Sequence, residues 1–339
     1  MRPKIFFVHS GNETFVKLDC EILSGMAEVR DYYARRKFPA GLTHFWRGIK
    51  SSDIVFCWFA SWNSFWVLLF AKLLRRPSLL VIGGYDVANL PEADYGSQRG
   101  GLEKWISRWA MGLATILLPF SFASQREAVK NAGIASERMK VVYIGVPDLF
   151  GELQDKPREQ MALTVGKVER SNLKRKGLEP FVRAAALLPD VQFILVGAWA
   201  DDSINYLRSI ASSNVRFTGR ASDQELVEYY HRASVYVQAS LHEGFGLSVA
   251  EAMLAGCIPV TTCVGSLPEV VGEYGGFYCG SADVSAIADA ITFALNAPGS
   301  ARQQARDRIL SEFPINNRRK LLEQSVHSVS PRGTRASHD

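Results

Sequence analysis

The sequence predicts an α/β fold built from two doubly wound domains. At 339 residues, the chain exceeds the length at which a single core usually keeps growing, so two domains are the default expectation. Apolar strand-like runs alternate with helical stretches in both halves, which is typical of β-α units on a parallel sheet. A polar segment with Gly and Pro, residues 150–160, separates the two series and is the expected linker.

The predicted strands are short and apolar, as buried parallel strands are. In the first half they are Lys4–His9, Ile54–Ala60, Leu79–Ile82, Thr115–Leu118 and Lys140–Tyr143. In the second half they are Met161–Val165, Gln192–Val196, Val215–Phe217, Val235–Val237 and Ile258–Thr261. The run 54–71 has the length of a marginal membrane span, but Ser61, Asn63 and Ser64 interrupt it. We therefore interpret it as a strand followed by a helix over 62–74.

These patterns predict the domain boundaries. We expect an N-terminal domain over 1–153 and a C-terminal domain over 154–302. A basic helical pattern follows over 303–328, with a kink or break at Phe313-Pro314. The polar tail 330–339 is expected to be disordered.

Composition excludes several classes of protein. With 47% hydrophobic and 22% charged residues, the chain has the composition of a soluble globular protein. Its five cysteines include no C-x-x-C pair, so we expect neither a disulfide framework nor a structural zinc site. The chain enters a strand at once, without the apolar region of a secretory signal. These features together predict a cytoplasmic location.

Several nucleotide and metal chemistries also lack their motifs. The sequence contains no G-x-x-x-x-G-K-[ST] phosphate loop, and Gly244-Phe-Gly246 lacks the third glycine of a dinucleotide fingerprint. The histidines show no metal-ligand spacing. We therefore expect no metal ion, no cofactor and no nucleic-acid partner.

The most informative segment is 240–256, which places two glutamates eight residues apart across a Gly-rich helix start. A predicted strand ends before Gly244-Phe245-Gly246, and a helix then extends to Gly256. Unpaired N–H groups at a helix N-terminus bind anions, so a diphosphate is expected against Gly246 and Leu247. Glu251 lies about 6 Å further along the axis, at about 1.5 Å per residue, which suits ribose hydroxyls. Glu243, before the turn, is then expected to face a sugar.

This segment resembles the Glu-x7-Glu signature of the retaining nucleotide-sugar glycosyltransferases of the GT-B type, family 4. Further segments resemble the family in order and spacing, so the resemblance covers most of residues 160–280: Val215–Gly219, Leu226–Ala233, Gly256–Val260 and Leu267–Val271. The resemblance implies the GT-B fold, with two Rossmann-like domains facing a central cleft. It also implies that the final helix crosses back to the N-terminal domain.

The resemblance further implies cations over the leaving diphosphate. Lys167 follows Gly166 after the first strand of the second domain, and Lys176 precedes the helix that begins at Leu178. Lys167 stands where the family commonly has Arg, and a lysine lacks the planar guanidinium fork. Arg170, Lys174 and Arg175 are alternative sources of that charge.

The first domain carries two weaker candidates. Gly11, after the first strand, corresponds to a loop facing the donor phosphate and the acceptor. Asp86 follows a strand and loop that in the family bear a histidine against the donor sugar, but this chain has Gly83 there. We expect Asp86 either to contact the sugar or acceptor hydroxyl, or simply to cap the next turn.

The resulting prediction is a retaining, metal-independent glycosyltransferase. It would move a hexose-type sugar from a nucleotide diphosphate sugar to an acceptor hydroxyl of unknown identity. Glu243, Lys176, Lys167 and Asp86 are the expected catalytic residues, and the expected substrate-binding residues are Gly11, Gly166, Phe245, Gly246, Leu247 and Glu251. Two alternatives stay open: a GT-B sugar-nucleotide epimerase, or a non-catalytic nucleotide-sugar binding protein.

The charge distribution indicates a further partner. Residues 1–150 hold 19 Lys and Arg against 13 Asp and Glu, and six of the seven tryptophans. Trp105 and Trp109 lie four apart on a predicted helix, with Arg35–Lys37 and Arg75-Arg76 elsewhere in the same domain. Such a surface suits anionic lipid headgroups or sugar faces, and the alternative is core tryptophan beside a solvated basic face. We expect weak, salt-sensitive association with an anionic membrane surface.

Overall fold

A computed structural model describes residues 2–11, 13–34, 41–153, 157–273, 276–279 and 283–330. The chain divides into two compact units. The first comprises Met1–Pro91, Tyr95–Gly145 and Ile315–Asp339, and the second comprises Glu92–Asp94 and Val146–Pro314. The predicted tail after Ser330, the basic run Arg35–Lys37 and part of the predicted linker lie outside the described residues.

In the described part of the first unit, one parallel sheet has the strand order β2-β1-β3-β4-β5. Its strands are β1 Lys4–His9, β2 Glu28–Tyr33, β3 Ile54–Trp58, β4 Ser78–Ile82 and β5 Ile116–Pro119. Its first helices are α1 Thr14–Met26, α2 Leu42–Lys50, α3 Trp62–Leu73, α4 Gly101–Leu113 and α5 Phe122–Glu127. Strands β3 and β4 are buried along their whole length, so the core of this unit lies against both faces of the sheet.

The described part of the second unit forms a parallel sheet in the order β11-β10-β9-β6-β7-β8. Its strands are β6 Glu159–Val165, β7 Gln192–Val196, β8 Val215–Gly219, β9 Ala233–Gln238, β10 Ile258–Thr262 and β11 Phe277–Cys279. Its helices are α6 Arg170–Arg175, α7 Leu178–Ala184, α8 Ser203–Ile210, α9 Asp223–Arg232, α10 Leu247–Leu254, α11 Leu267–Val271, α12 Val284–Leu295 and α13 Ser300–Glu312. The predicted α/β class with two doubly wound sheets is confirmed.

The structure differs from the predicted elements mainly at the sheet edges. β2 and β11 were not predicted, because β2 is a polar edge strand and β11 has three residues. The predicted strand Lys140–Tyr143 is an irregular segment instead. It runs beside β5, and the N–H groups of Lys140 and Val142 donate to carbonyls of β5 and its end.

The boundary between the units lies at Gly145/Val146, rather than at the predicted 153/154. Residues after 145 bond to the second unit: the Val146 N–H donates to the Phe313 carbonyl over 2.9 Å, and Asp148 pairs with Arg306 of α13. The predicted final helix 303–328 is two helices separated at Phe313-Pro314. Only the second of them, α14 (Ile315–Val329), belongs to the first unit.

A buried ion pair attaches α14 to the first unit. The Arg318 guanidinium donates to both carboxylate oxygens of Asp19 on α1, at 2.5 and 2.6 Å. It also donates to the carbonyls of Val142 and Tyr143, and both charged side chains are fully buried. Burial raises the pKa of Asp19, and Arg318 opposes that shift. Both charged groups are hydrogen-bonded within the core, so removing one partner leaves the other as an unpaired buried charge.

Two global features complete the fold. Among the helices that the structure describes, none is both long enough and apolar enough to cross a membrane. All five cysteines are free thiols.

We expect Arg318→Met to destabilise the first unit by about 3–5 kcal/mol, because it strands the Asp19 carboxylate in the core. The double variant Asp19→Leu/Arg318→Met should cost much less, since no buried charge remains. Urea unfolding followed by tryptophan fluorescence measures this, as six of the seven tryptophans belong to the first unit. Arg319→Met, at the exposed neighbour on α14, is the matched control. Equal loss in the single and double variants would contradict the ion-pair account.

Candidate functional site

The strand order of the second unit creates a switch point between β6 and β9. From β6 the chain continues to β7 and β8 on one side, and β9, β10 and β11 follow on the other. Ligands of open parallel sheets bind outside the carboxyl ends of the strands at such a point. The segments leaving β6 and β9, residues 166–177 and 239–246, carry most of the predicted site residues.

The segment after β9 leads directly into the start of α10. Gly246 caps this helix with φ of 89°, a left-handed conformation that favours glycine. The first intrahelical bond of this turn runs from the Ala250 N–H to the Gly246 carbonyl, so earlier N–H groups have no partner within the helix. Gly246 and Leu247 therefore have the geometry predicted for an anion-binding helix start.

Glu243 and Lys176 form an ion pair at the switch point. The Lys176 ammonium lies 2.5 Å from Glu243 Oε2, and the two side chains are only 19% and 13% exposed. Burial alone would raise the pKa of Glu243, but Lys176 and then Arg175 outweigh burial and the pKa lies below its ordinary value. Glu243 is thus an ionised carboxylate held beside a cation.

Close backbone contacts bring these two side chains together. Gly177 follows Lys176 in a left-handed conformation, and a Cβ there would lie 2.1 Å from the Ala239 carbonyl oxygen. A Cβ at Gly265 would lie equally close to the Glu243 carbonyl oxygen. The Leu241 N–H also donates to the Arg175 carbonyl over 2.8 Å. Only glycine permits these approaches, so the pair depends on them.

Glu251 lies on α10 and accepts a hydrogen bond from the Tyr230 hydroxyl over 3.1 Å. Burial raises its pKa to about 7, with Asp223 adding to the shift and Tyr230 opposing it. The carboxyl is therefore poised between its neutral and charged forms near neutral pH. The sequence reasoning missed Tyr230 as its partner, although the tyrosine lies within a segment that resembles the family.

Lys167 differs from Lys176 in its environment. Its ammonium lies 2.5 Å from Glu169, and its side chain is 56% exposed. Gly166, before it, receives the backbone of Gly197 so closely that a Cβ on Gly197 would lie 2.0 Å from the Gly166 carbonyl oxygen. Lys167 stays a prediction for the diphosphate, because its present partner is a surface carboxylate.

Phe245 is buried, and its ring packs edge-on against Phe313 at 5.5 Å between centroids. A substrate contact from this residue would therefore come from its backbone. Further polar groups surround Glu243: Gln238 and Ser240 lie 3.5 Å from its Oε2, and Ser266 donates to its carbonyl. Sequence reasoning singled out none of these three, since their types carry no spacing signal.

In the first unit, Asp86 is 2% exposed and holds a turn. Its carboxylate accepts the N–H groups of Gly83, Gly84 and Ala60 at 2.9–3.1 Å. Burial raises its pKa, and these backbone bonds oppose the shift. This geometry corresponds to the capping alternative. A direct contact with sugar or acceptor stays a prediction.

Asp86 instead positions the wall of a cavity of about 280 Å³ in the first unit. The cavity lies at the carboxyl ends of β1, β3 and β4, where Ser10, Ala60 and Tyr85 contribute to its wall. Trp62 and Asn63 of α3 and Glu103 of α4 also line the cavity, and the Tyr85 hydroxyl donates to Glu103 over 2.9 Å.

The predicted residue Gly11 directly follows Ser10 of the cavity wall. The Gly11 carbonyl lies at hydrogen-bond distance, 2.5 Å, from Nδ1 of the His9 ring.

Metal chemistry has no assembled site in the described ranges. There, no group of three or more His, Cys, Asp or Glu side chains is placed to hold a metal ion. Among the described residues, Lys176 is the cation that forms an ion pair with Glu243.

Comparison with known proteins supports the same interpretation. Residues 149–309 match the family model described as glycosyl transferases group 1. A glycogen synthase of Mycobacterium tuberculosis is 25% identical over 285 residues, which are 78% of this chain and 68% of that protein. The O-antigen chain mannosyltransferase B of Escherichia coli is 37% identical over 123 residues, 34% of this chain and 31% of the relative. A crystal structure of Anabaena Alr3699/HepE in complex with UDP and glucose superposes with a TM-score of 0.78 at 17% identity, covering 96% and 100% of the two chains.

The two doubly wound units and the site at the switch point of the second therefore define a protein of the GT-B class. The match over residues 149–309 covers nearly all of the second unit and contains Glu243, Glu251, Lys167 and Lys176. Over residues 149–309 the chain is therefore similar to the group 1 glycosyltransferases.

We expect Glu251→Gln to stabilise the protein at pH 8 by about 2–3 kcal/mol, because it removes a buried carboxyl whose pKa is about 7 against 4.5 unfolded. Between these two values the unfolded state loses its proton first, so the wild-type loses stability as pH rises. The amide oxygen can still accept the Tyr230 bond.

Thermal or urea unfolding of both proteins from pH 4 to pH 8 measures the difference. The two curves should converge near pH 4, where both forms of residue 251 are neutral. A difference that does not change with pH would contradict the assigned pKa.

Proposed function

We propose that this protein is a retaining, metal-independent transferase that moves a sugar from a nucleotide diphosphate sugar to an acceptor hydroxyl. One observation carries the proposal: a cation and a carboxylate, both largely buried, lie with a helix N-terminus at the switch point of the second unit. These are the groups that a leaving diphosphate and its sugar require.

Each donor part has a chemically matched partner. The N–H groups at Gly246 and Leu247 suit the diphosphate, and Glu251 suits the ribose hydroxyls in its ionised form. Glu243 suits hydroxyls of the sugar. Lys176 supplies charge at the glycosidic oxygen, where negative charge grows as the bond to the sugar breaks. Lys167 would add to that charge after leaving its surface partner Glu169.

Retention follows if the acceptor attacks the face of the sugar from which the diphosphate departs. The acceptor oxygen forms the new bond to the anomeric carbon, the old carbon–oxygen bond breaks, and the departing phosphate oxygen takes the acceptor proton. Glu243 is assigned a binding role here, since its ion pair with Lys176 and its polar neighbours hold it in place. The charge of Lys176 then acts more strongly in the transition state than in the bound donor.

The cavity of the first unit is assigned to the acceptor. Trp62 and Tyr85 offer aromatic surface, while Asn63 and the Glu103 carboxylate offer hydrogen-bonding groups at its wall. A sugar has the same combination of apolar faces and hydroxyl edges, so a glycan or glycoside is the favoured acceptor class. Uridine diphosphate sugars are the first donors to test, because the structurally similar HepE was crystallised with UDP.

The test is a thermal-shift screen against uridine, guanosine and adenosine diphosphate sugars, followed by turnover with a glycan panel. One nucleotide should stabilise the protein by mass action, and product NMR should show a retained anomeric configuration. Activity should survive a chelator.

Glu251→Ala should weaken binding of the nucleotide found in that screen by about 1.5–3 kcal/mol, because a hydrogen bond to a charged group is lost.

Three results would contradict parts of this proposal. No stabilisation by any nucleotide would remove the donor site. Nucleotide release without an acceptor would favour an epimerase, and binding without turnover would favour a non-catalytic binding protein. Loss of activity in chelator, restored by magnesium or manganese, would overturn metal independence.

We expect Lys176→Ala to reduce kcat by roughly 10²–10³-fold while donor affinity changes much less, because the leaving-group charge is largest in the transition state. The assay is best run at pH 8, so that Glu243 stays ionised after losing its partner. Lys320→Ala, at an exposed lysine of α14, is the matched control. A rise in KM with unchanged kcat would instead assign Lys176 to ground-state binding only.

A further inference from the structure

A continuous set of aromatic rings covers one side of the first unit. Its members lie on α2, α3 and α4 and contact each other in sequence, with centroids 5.1–6.5 Å apart: Trp46, Phe70, Trp66, Phe65, Trp109 and Trp105. We call this set the aromatic face. Trp46 is 42% exposed, and Trp105 and Trp109 are each 52% exposed. The large rings therefore do not serve only as core.

Exposed aliphatic side chains extend the aromatic face. Leu73 at the end of α3 and Leu102 at the start of α4 are 64% and 58% exposed. Large contiguous apolar surfaces on soluble proteins usually mark an interaction site. A sugar would need a concave site with several hydrogen-bonding groups, whereas this face extends across three helices.

The same three helices, together with the segment that follows α3, are strongly basic. The ranges 42–50, 62–77 and 101–113 contain seven basic residues (Arg47, Lys50, Lys72, Arg75, Arg76, Lys104 and Arg108) and one acidic residue, Glu103. That carboxylate already accepts the Tyr85 hydroxyl. A surface with this balance attracts anions, and tryptophan beside lysine and arginine is typical of the interfacial zone of membranes.

A basic pocket adjoins the aromatic face at the C-terminal ends of α3 and α4. Lys72, Arg75, Arg76 and Arg138 line it, with a volume of about 580 Å³ and no carboxylate among its lining residues. Ser78 and Thr115, at the amino ends of β4 and β5, also line it. The pocket therefore lies at the amino ends of the strands, whereas the proposed acceptor cavity lies at their carboxyl ends.

Two of the four basic side chains already donate hydrogen bonds to backbone carbonyls. Arg138 donates to the carbonyls of Gly112 and Ala114, which end α4, and Arg76 donates to the Lys50 carbonyl. Among the described residues, the side chains of Lys72 and Arg75 have no hydrogen-bond or ion-pair partner. Their charges are therefore unneutralised in the lining of a pocket that is large enough to admit a phosphate group.

Arg75 also stands where an arginine is unusual. Its φ of 53° is left-handed, a conformation that is energetically unfavourable for a non-glycine residue. Glycine or asparagine is the common residue just after a helix, as here after α3. The cost is consistent with a role for the side chain.

We propose that this surface docks the protein on bilayers containing anionic phospholipids, with the aromatic face in the headgroup region and a lipid phosphate in the basic pocket. Charge complementarity selects the anionic lipid, and the exposed rings distinguish a bilayer from a soluble phosphate compound. The inference concerns where the enzyme works and does not depend on its donor or mechanism.

The experiment is vesicle flotation of the full chain with phosphatidylcholine alone and with added phosphatidylglycerol, at low and high salt. Wild-type protein should float with the anionic vesicles at low salt and lose most of that binding at high salt. Brominated lipids should quench tryptophan fluorescence, which places the rings in the headgroup and upper acyl region.

Two paired variants separate the contributions. Lys72→Ser/Arg75→Ser should lower the partition coefficient on anionic vesicles roughly 10- to 30-fold, since each basic residue near such a surface contributes about 1 kcal/mol. Trp105→Ser/Trp109→Ser should reduce quenching to the part contributed by the remaining tryptophans of the aromatic face, and should weaken binding even at low salt. The controls are Arg319→Ser/Lys320→Ser on α14 and Trp199→Ser in the second unit, all exposed positions that should change nothing.

Three outcomes would overturn the proposal. Equal failure to float in every lipid would remove the membrane surface. Stabilisation by inorganic phosphate or glycerol phosphate without flotation would make the pocket a site for a soluble anion. A wild-type dimer that the tryptophan pair converts to monomer, without vesicle binding, would make the aromatic face a contact between copies of the chain.

Discussion

The ion pair between Lys176 and Glu243 is the interaction on which the candidate site depends. Both groups are largely buried, and each would carry a large desolvation cost without the other. The pair forms because Gly177 and Gly265 have no Cβ. Each glycine can therefore lie against a backbone carbonyl oxygen of a neighbouring loop. A donor diphosphate bound as we propose would meet a cation that is already positioned and largely shielded from water.

The same unit assigns different electrostatic states to its two glutamates. Glu243, beside Lys176, is ionised, whereas burial of Glu251 brings its pKa to about 7, and its carboxyl accepts a hydrogen bond from the Tyr230 hydroxyl. Two carboxyls on one short segment can therefore take different parts in ligand binding. Because the pKa of Glu251 is raised on folding, ionising this buried carboxyl above pH 7 lowers the stability of the folded state.

In the first unit, the two ends of the strands carry different surfaces. The cavity at the carboxyl ends of the strands is lined by Ser10, Tyr85 and Glu103, and Asp86 holds its wall from behind. The basic pocket lies at the amino ends of the strands, beside the aromatic face. Helices α3 and α4 connect these two regions, since Asn63 and Glu103 near their starts line the cavity and Lys72 and Leu113 at their ends line the basic pocket.

The sequence by itself determined the α/β class, most buried strands and the donor segment, because period, apolar runs and the Glu243–Glu251 spacing are local properties of the chain. It could not determine the edge strands β2 and β11, whose pairing is set by neighbours rather than by their own composition. Nor could it settle whether Asp86 faces a ligand or a turn, or whether Trp105 and Trp109 are core or surface. Those outcomes depend on which groups distant in sequence share a site, as with Arg318 and Asp19, and only packing of the tertiary structure decides that.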